Sequence, residues 1–552
     1  MGKLNSLAVV GVLLCIWAAP LSGQGPANIP GAVPPPAMEA SHDELRTSEP
    51  YALAGHRLVF SSWYFVRPGT FGWLNARGEN VAVGGSEGPW GANISKSAGP
   101  HGVRLRVLPG ERFQRTLKSE MPWEAKGLSM SSVLQVDGRY RAWGHCQDAQ
   151  GKKHFCTFES ADGLTWTRPS LGQIKIDGRD TNLIDFNGGT VFYDAAAPPE
   201  ERYKCVELND MSRETFEAYR AKQPDAVGPR AWREDVGVAF YIAGAVSPDG
   251  LTWTPRPEPL AIEHSDTQIT AYYDAQLRKY VIYTRQWMVG PQAPGSDPSW
   301  GRIWYNIGRR SIGRTESDNF DTFPLSQIIL VPPLELPPSE VLYTNCRTSV
   351  PGAPDHHVMF PAVWSMRTDD THIRVASSHD GRVWTWVPGG SVFETPAFGE
   401  WDGGCVFTNP NLIELADGSF VLPYTGYEFP HKYPRGNWSF GSGYIRWPKG
   451  RLFALESPEE GVFETVGIMP PGRKLRINAL TERAGSIVVE VANIHNDPLD
   501  NRRFEQCEPI RGDRFDHPVT WQGQDDLGVP ENTPVILRFR MDHAAIFALD
   551  FE

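Results

Sequence analysis

Three copies of one short pattern, S-x-D-G-x-x-W, constrain this chain more than anything else in its sequence. They run from Ser160 to Trp166, Ser247 to Trp253 and Ser378 to Trp384, and a degenerate fourth spans Thr315 to Phe323. Their aromatic ends, at 166, 253, 323 and 384, fall 87, 70 and 61 residues apart, room for four strands and their loops in each repeat. In each copy Asp-Gly makes a tight turn in which glycine accepts positive φ, and the aromatic ring then tucks between neighbouring sheets. The Asp residues are thus read as turn formers on an outer rim, where they cannot converge on a shared pocket.

Recurring strands frame these turns. Gly138 to Trp143, Glu201 to Val206 and Arg278 to Tyr283 share one form, and each follows an apolar strand ending near an Asp: Met130 to Asp137, Gly189 to Asp194 and Ile269 to Asp274. Two more such strands begin at Glu340 and Gly404. Five inner strands predict an all-β, five-bladed β-propeller over residues 51–460. Strands within 51–120, including Arg57 to Val66 and Val103 to Leu108, are expected to close the ring and hide its edges; six blades is the alternative. From Lys474 onward, period-two alternation predicts a small C-terminal β-sandwich, taken as residues 461–552. With 54 Gly, 47 Pro and 19 Trp, the composition favours short strands and tight turns. One helix is predicted from Asp210 to Lys222, with Ser212 as N-cap.

The N-terminus carries an address. Lys3, an apolar run from Leu7 to Ala19 and the small residues Ser22-Gly23 have the layout of a secretory signal peptide over residues 1–23. That run is far shorter than the roughly 20 residues that span a bilayer. Residues 24–50, rich in Pro, Ala and Gly, read as a disordered leader. A secreted or periplasmic, soluble and monomeric protein is expected. A net charge of −12 without a Lys/Arg cluster argues against nucleic acid. It leaves room for a local arginine-lined cleft, for which Arg309-Arg310 and Arg502-Arg503 are candidates. Cys146 and Cys156 flank a polar hairpin and either form a disulfide or remain buried thiols. The adjacent His356 and His357 point to opposite faces of a strand, so neither a metal nor another cofactor is expected.

The Asp-Gly-x-x-Trp turns are similar to the Asp boxes of sialidases. A five-bladed propeller followed by a β-sandwich resembles the invertase, levanase and arabinanase superfamily of glycoside hydrolases. The Glu-Arg-Tyr-Lys, Ser-Asp-Thr-Gln and Asp-Gly-x-x-Trp elements resemble a group of exported bacterial proteins described as glycosyl hydrolases. The resemblance implies carbohydrate as substrate and carboxylates on inner strands facing a central funnel. The superfamily's W-M-N-D-P-N, R-D-P and E-C patterns are missing, so residues transfer by position in the blade.

Acidic residues do open the inner strands: Glu124 before the first, Asp266 the third, Glu340 the fourth and Asp402 the fifth. Asp266 and Glu340 are the expected catalytic pair, one ionised and one protonated, with Glu124 and Asp402 tuning them. His264, Arg285, Trp287, Arg347, Arg367 and Trp401 are candidate substrate-binding residues. Trp63, Trp73, Trp90, Trp300 and Trp304 also lie in loop-rich segments where sugar rings stack. The leading reading is an exported glycoside hydrolase acting on a poly- or oligosaccharide. The alternatives are a non-catalytic glycan-binding propeller, or a sialidase-like enzyme with Arg285, Arg347 and Arg367 gripping a carboxylate.

Overall fold

A computed structural model of the chain describes residues 50–68, 73–74, 80–82, 100–228, 231–233, 236–289, 295, 308–433 and 439–552. The signal segment, the leader through residue 49, Trp90, Trp300, Trp304 and the side chain of Trp73 lie outside them. Within the described residues the chain is mostly strand, and no helix is long and apolar enough to cross a membrane. The predicted helix occupies Arg213–Lys222, with the Ser212 hydroxyl accepting from the Thr215 amide at 3.3 Å.

Five antiparallel strand sets follow one another. The first comprises Ser132–Val136, Arg139–Gln147, Lys153–Ser160 and Leu183–Ile184. The second begins with Thr190–Tyr193, Tyr203–Met211 and Val238–Ser247, edged by Thr254–Pro255 and Trp232–Arg233. The third is Thr270–Asp274, Lys279–Met288, Arg309–Ser317 and Gln327–Leu330. In the fourth, each strand breaks in two: Glu340–Leu342 and Arg347–Val350 head its halves, on either side of Cys346 at φ 41°. The fifth joins Cys405–Thr408, Phe420–Tyr427 and Phe440–Trp447 to Glu111–Leu117, a strand from some 300 residues earlier.

Alternation along each strand gives every sheet two apolar faces, and each face packs on a neighbour. Val191 and Cys205 of the second sheet meet Trp143 of the first. Ile242 meets Ile282 between second and third, and Tyr283 meets Met359 between third and fourth. Val358 and Phe360 meet Val406 and Leu422 between fourth and fifth, and Val421 and Tyr444 of the fifth return to Val133 and Phe158 of the first.

The repeated turns explain this spacing. In the first, Asp162 Oδ1 accepts from the amides of Leu164 and Thr165 at 2.8 and 2.7 Å, while Ser160 Oγ accepts from Gly163 at 2.9 Å. Asp249 with Ser247 repeats the pattern, and Asp380 accepts likewise from Arg382 and Val383. Gly163, Gly250 and Gly381 sit at φ 74°, 72° and 66°, where a side chain would be strained. In the degenerate copy Asn319 takes the Asp place, accepting from Asp321 and Thr322.

A six-stranded sheet holds the C-terminal strands: Phe453–Glu464, Leu475–Ala492, Asp513–Pro518 and Ile536–Phe551. Leu475–Ala492 runs as one strand, with a register shift against Ile536–Phe551 between Thr481 and Ser486. Its other members come from the N-terminus. Arg104–Val107 pairs with Phe453–Glu464, and Arg57–Leu58 with Ile536–Phe551. So of the early strands expected to complete the repeated sheets, Glu111–Leu117 does so and these two do not. Leu58, Phe60 and Leu105 fill the same core as Val489, Trp521 and Phe539.

All six cysteines of the described chain are buried thiols. Cys146 lies opposite His154 and Cys156 opposite Gly144, so the register offsets the two by two residues.

Candidate functional site

Asp266 lies in the segment that links Thr254–Pro255 of the second sheet to Thr270–Asp274 of the third, four residues before the latter strand begins. Its carboxylate pairs with the guanidinium of Arg285, lies 3.7 Å from His264 Nε2 and 3.9 Å from Arg310 Nη2, and its side chain is 45 % exposed. Arg285 and Trp287 alternate along Lys279–Met288, and Arg310 stands directly opposite Trp287 on the adjacent strand. All three therefore face the same side. Arg310 lies 4.0 Å from the ring centroid of Tyr343 and donates to Thr267 Oγ1 at 3.1 Å. Arg285 donates to the His264 carbonyl at 2.8 Å, and Tyr343 and His431 share a 2.6 Å hydrogen bond.

Charges set the protonation states here. Burial opposes ionisation of Asp266, but Arg285 and Arg310 outweigh it and hold the carboxyl below its usual range. Burial, then Arg285, pushes His264 down to about 4, so its imidazole is neutral at pH 7. Burial, then the like charge of Arg310, takes Arg285 down to about 10.

A second carboxyl, Glu207, belongs to the neighbouring sheet but shares the face of Cys205, so it turns towards the first sheet and away from the Arg285 and Arg310 cluster. Glu207 lies one residue past Val206, which pairs with Thr190, the first residue of its inner strand. Half-buried, Glu207 lines a cavity of about 790 Å³ with His154, Asn187, Tyr219, Tyr241 and Arg256. Burial pushes its carboxyl up to about 7. It follows Cys205 and Val206 in the repeated strand, and its signal in the sequence was a lone acid continuing an apolar run.

The other expected site residues are dispersed. Glu340 begins the first half of the fourth sheet's first strand, and its carbonyl accepts from Arg309 at 2.7 Å. Glu124 is fully enclosed, holding Arg168 at 2.7 Å and the amides of Glu120 and Met121 at 2.9 and 3.3 Å. Asp402 is also enclosed, accepting from Tyr424 Oη at 2.6 Å and Arg112 Nε at 3.0 Å. Trp401 stacks on Tyr424.

Arg285, Arg347 and Arg367 have three different surroundings. Arg347 bonds His357 and covers the Tyr272 ring at 3.3 Å. It lines a 320 Å³ cavity framed by the first strands of sheets one to four and by Pro410 to Leu412 after that of the fifth. Arg367 is exposed on a turn. The arginine that joins Arg285 is Arg310. His356 and His357 turn apart, towards Asp355 and Arg347 respectively.

No family model matches the sequence, and no curated protein matches it. Among solved structures the chain is similar to an N-acetylgalactosamine deacetylase from F. plautii in complex with blood group B trisaccharide, at 12 % identity and TM-score 0.37, covering 63 % of this chain and 96 % of that one. It is also similar to a thermostable family-43 glycoside hydrolase, at 13 % and 0.35, covering 60 % and 93 %. The catalytic domain of the Coprinopsis cinerea GH62 alpha-L-arabinofuranosidase is a third, at 11 % and 0.35, covering 62 % and 96 %.

Proposed function

We propose that this chain is an exported five-bladed β-propeller enzyme that hydrolyses glycosidic bonds of a poly- or oligosaccharide, with a C-terminal β-sandwich as support. One observation carries the reading: Asp266 is half-exposed and held ionised by Arg285 and Arg310. Glycoside hydrolysis needs an ionised carboxylate to attack or activate water and a protonated one to assist departure of the leaving group. Glu340, which opens the first strand of the next sheet, takes the acid role. Trp287 and Tyr343 beside Asp266 offer faces on which a sugar ring stacks. Cyclic packing of the five sheets supports the propeller, and residues 1–23 support export to the periplasm or beyond.

The test is release of reducing ends from a panel of plant, algal and host glycans, with Asp266→Asn and Glu340→Gln compared at matched thermal stability. Each variant is expected to lose about a hundredfold or more in turnover. Near-normal turnover in both sinks the assignment. The engagement of Asp266 by Arg285 favours a second reading, a glycan-binding propeller without turnover; retained sugar binding with no released product by the unaltered chain supports it.

A further inference from the structure

Arg285 and Arg310 are buried cations that the protein itself does not fully use. Their side chains are 5 % and 7 % exposed, and both Nε groups are buried with no hydrogen-bond partner among the described residues. They face one carboxylate, Asp266, which Arg285 binds directly and Arg310 reaches only at 3.9 Å. The other nearby acid, Glu263, turns to the opposite face of the sheet, where it accepts from Ser326 Oγ at 2.6 Å and from Gln286; burial pushes it towards the protonated form. Two further cations lie close by: Arg233 contacts His264 at 3.3 Å, and Lys432 lies 5.9 Å from the Tyr343 ring.

An uncompensated buried charge is costly, and a charged partner removes that cost. Planar guanidinium forks match oxyanions, and the half-exposed Asp266 shows that the cluster opens to solvent. We propose that Arg285 and Arg310 together hold an oxyanion borne on the sugar, a carboxylate or a sulfate ester, next to Asp266. The inference rests on the glycan reading above and narrows it to acidic sugars. Thr267, by accepting from Arg310, orients the fork.

Two arms test it on the full chain. In the first, sodium acetate and sodium sulfate are titrated against sodium chloride at matched ionic strength while the melting temperature is followed. At least one oxyanion is expected to stabilise the protein beyond chloride, with the apparent affinity falling about tenfold in Arg310→Met and only partly in Arg310→Lys. Should Arg310→Met not fold, Thr267→Val gives a smaller loss, about threefold, through misorientation of the fork. In the second arm, calorimetry compares a neutral trisaccharide with its uronate and its sulfate ester. The acidic sugar that binds about tenfold tighter identifies the source of the oxyanion. Stabilisation by acetate and sulfate no greater than by chloride overturns the proposal, as does equal binding of neutral and acidic sugars. Oxyanion binding through Arg310 without binding or cleavage of any sugar leaves the anion site standing and refutes the glycan reading; cleavage of neutral sugars with no oxyanion effect does the reverse.

Discussion

The hydroxyl of Tyr444 in the fifth sheet donates to the carbonyl of Gly163 in the first repeated turn, 2.9 Å away and 281 residues back in the chain. The same bond recurs from Trp143 to Gly250 at 2.7 Å and from Tyr283 to Gly381 at 2.7 Å. Each glycine carbonyl is thus the point at which one sheet is fastened to its neighbour, and Tyr444 fastens the last to the first. Tyr444→Phe keeps the ring but leaves a buried carbonyl unpaired, and is expected to cost about 1 to 2 kcal/mol in urea unfolding. No change in the unfolding midpoint would show that this bond contributes nothing.

Asp162 gives these turns a pH signature. Burial is the largest single influence and opposes its ionisation, but the amides of Thr165 and Leu164 and the hydroxyls of Ser160 and Thr165 together outweigh it and lower its pKa from 3.8 to about 2. A depressed folded-state pKa stabilises above the unfolded value and is lost as pH falls through the folded one. Asp162→Asn should therefore melt below the unaltered chain at pH 6, and the gap should close between about pH 4 and pH 2. A gap independent of pH would contradict the hydrogen-bonded carboxylate.

Truncation after residue 454 should cost folding before it costs chemistry. Removing the C-terminal sheet strips partners from Leu58, Phe60, Phe65 and Leu105, all buried in its core. Arg57 spans the junction, donating to Asp550 at 2.7 Å and Glu414 at 2.9 Å, and Arg57→Met is expected to destabilise the chain by about 2 to 3 kcal/mol. A truncated chain as soluble and heat-stable as the whole would show that these contacts are dispensable.

The six thiols can be counted. Alkylation of the unreduced, denatured protein should label Cys146, Cys156, Cys205, Cys346, Cys405 and Cys507 alike, and reductant should leave the melting temperature unchanged. A pair that resists alkylation until reduced would reveal a disulfide.

The repeated Ser-x-Asp-Gly turns and the apolar alternation around them were enough, as sequence, to give a mostly β chain built from successive strand sets, because both are local: the turn closes within five residues and strand period depends only on neighbours. Ser212 marked its helix start for the same reason. What lies far apart in the chain was decided by folding alone. Nothing in Glu111 to Leu117 announces that it completes the fifth sheet while Arg104 to Val107, a few residues earlier, joins the C-terminal one; both alternate, and only the edges left open by the other strands choose between them. The site divides along the same line. Asp266 stood out beside His264 and Thr267, but Arg285 and Arg310 become one cluster only because strand register sets them diagonally on one face, and Glu124 and Asp402 become enclosed ion partners only because Arg168 and Arg112 fold over them. A carboxylate's role depends on what surrounds it in space: in sequence Glu124, Asp402, Glu340 and Asp266 are alike, and packing alone exposes one beside two guanidiniums while closing two of the others away from solvent.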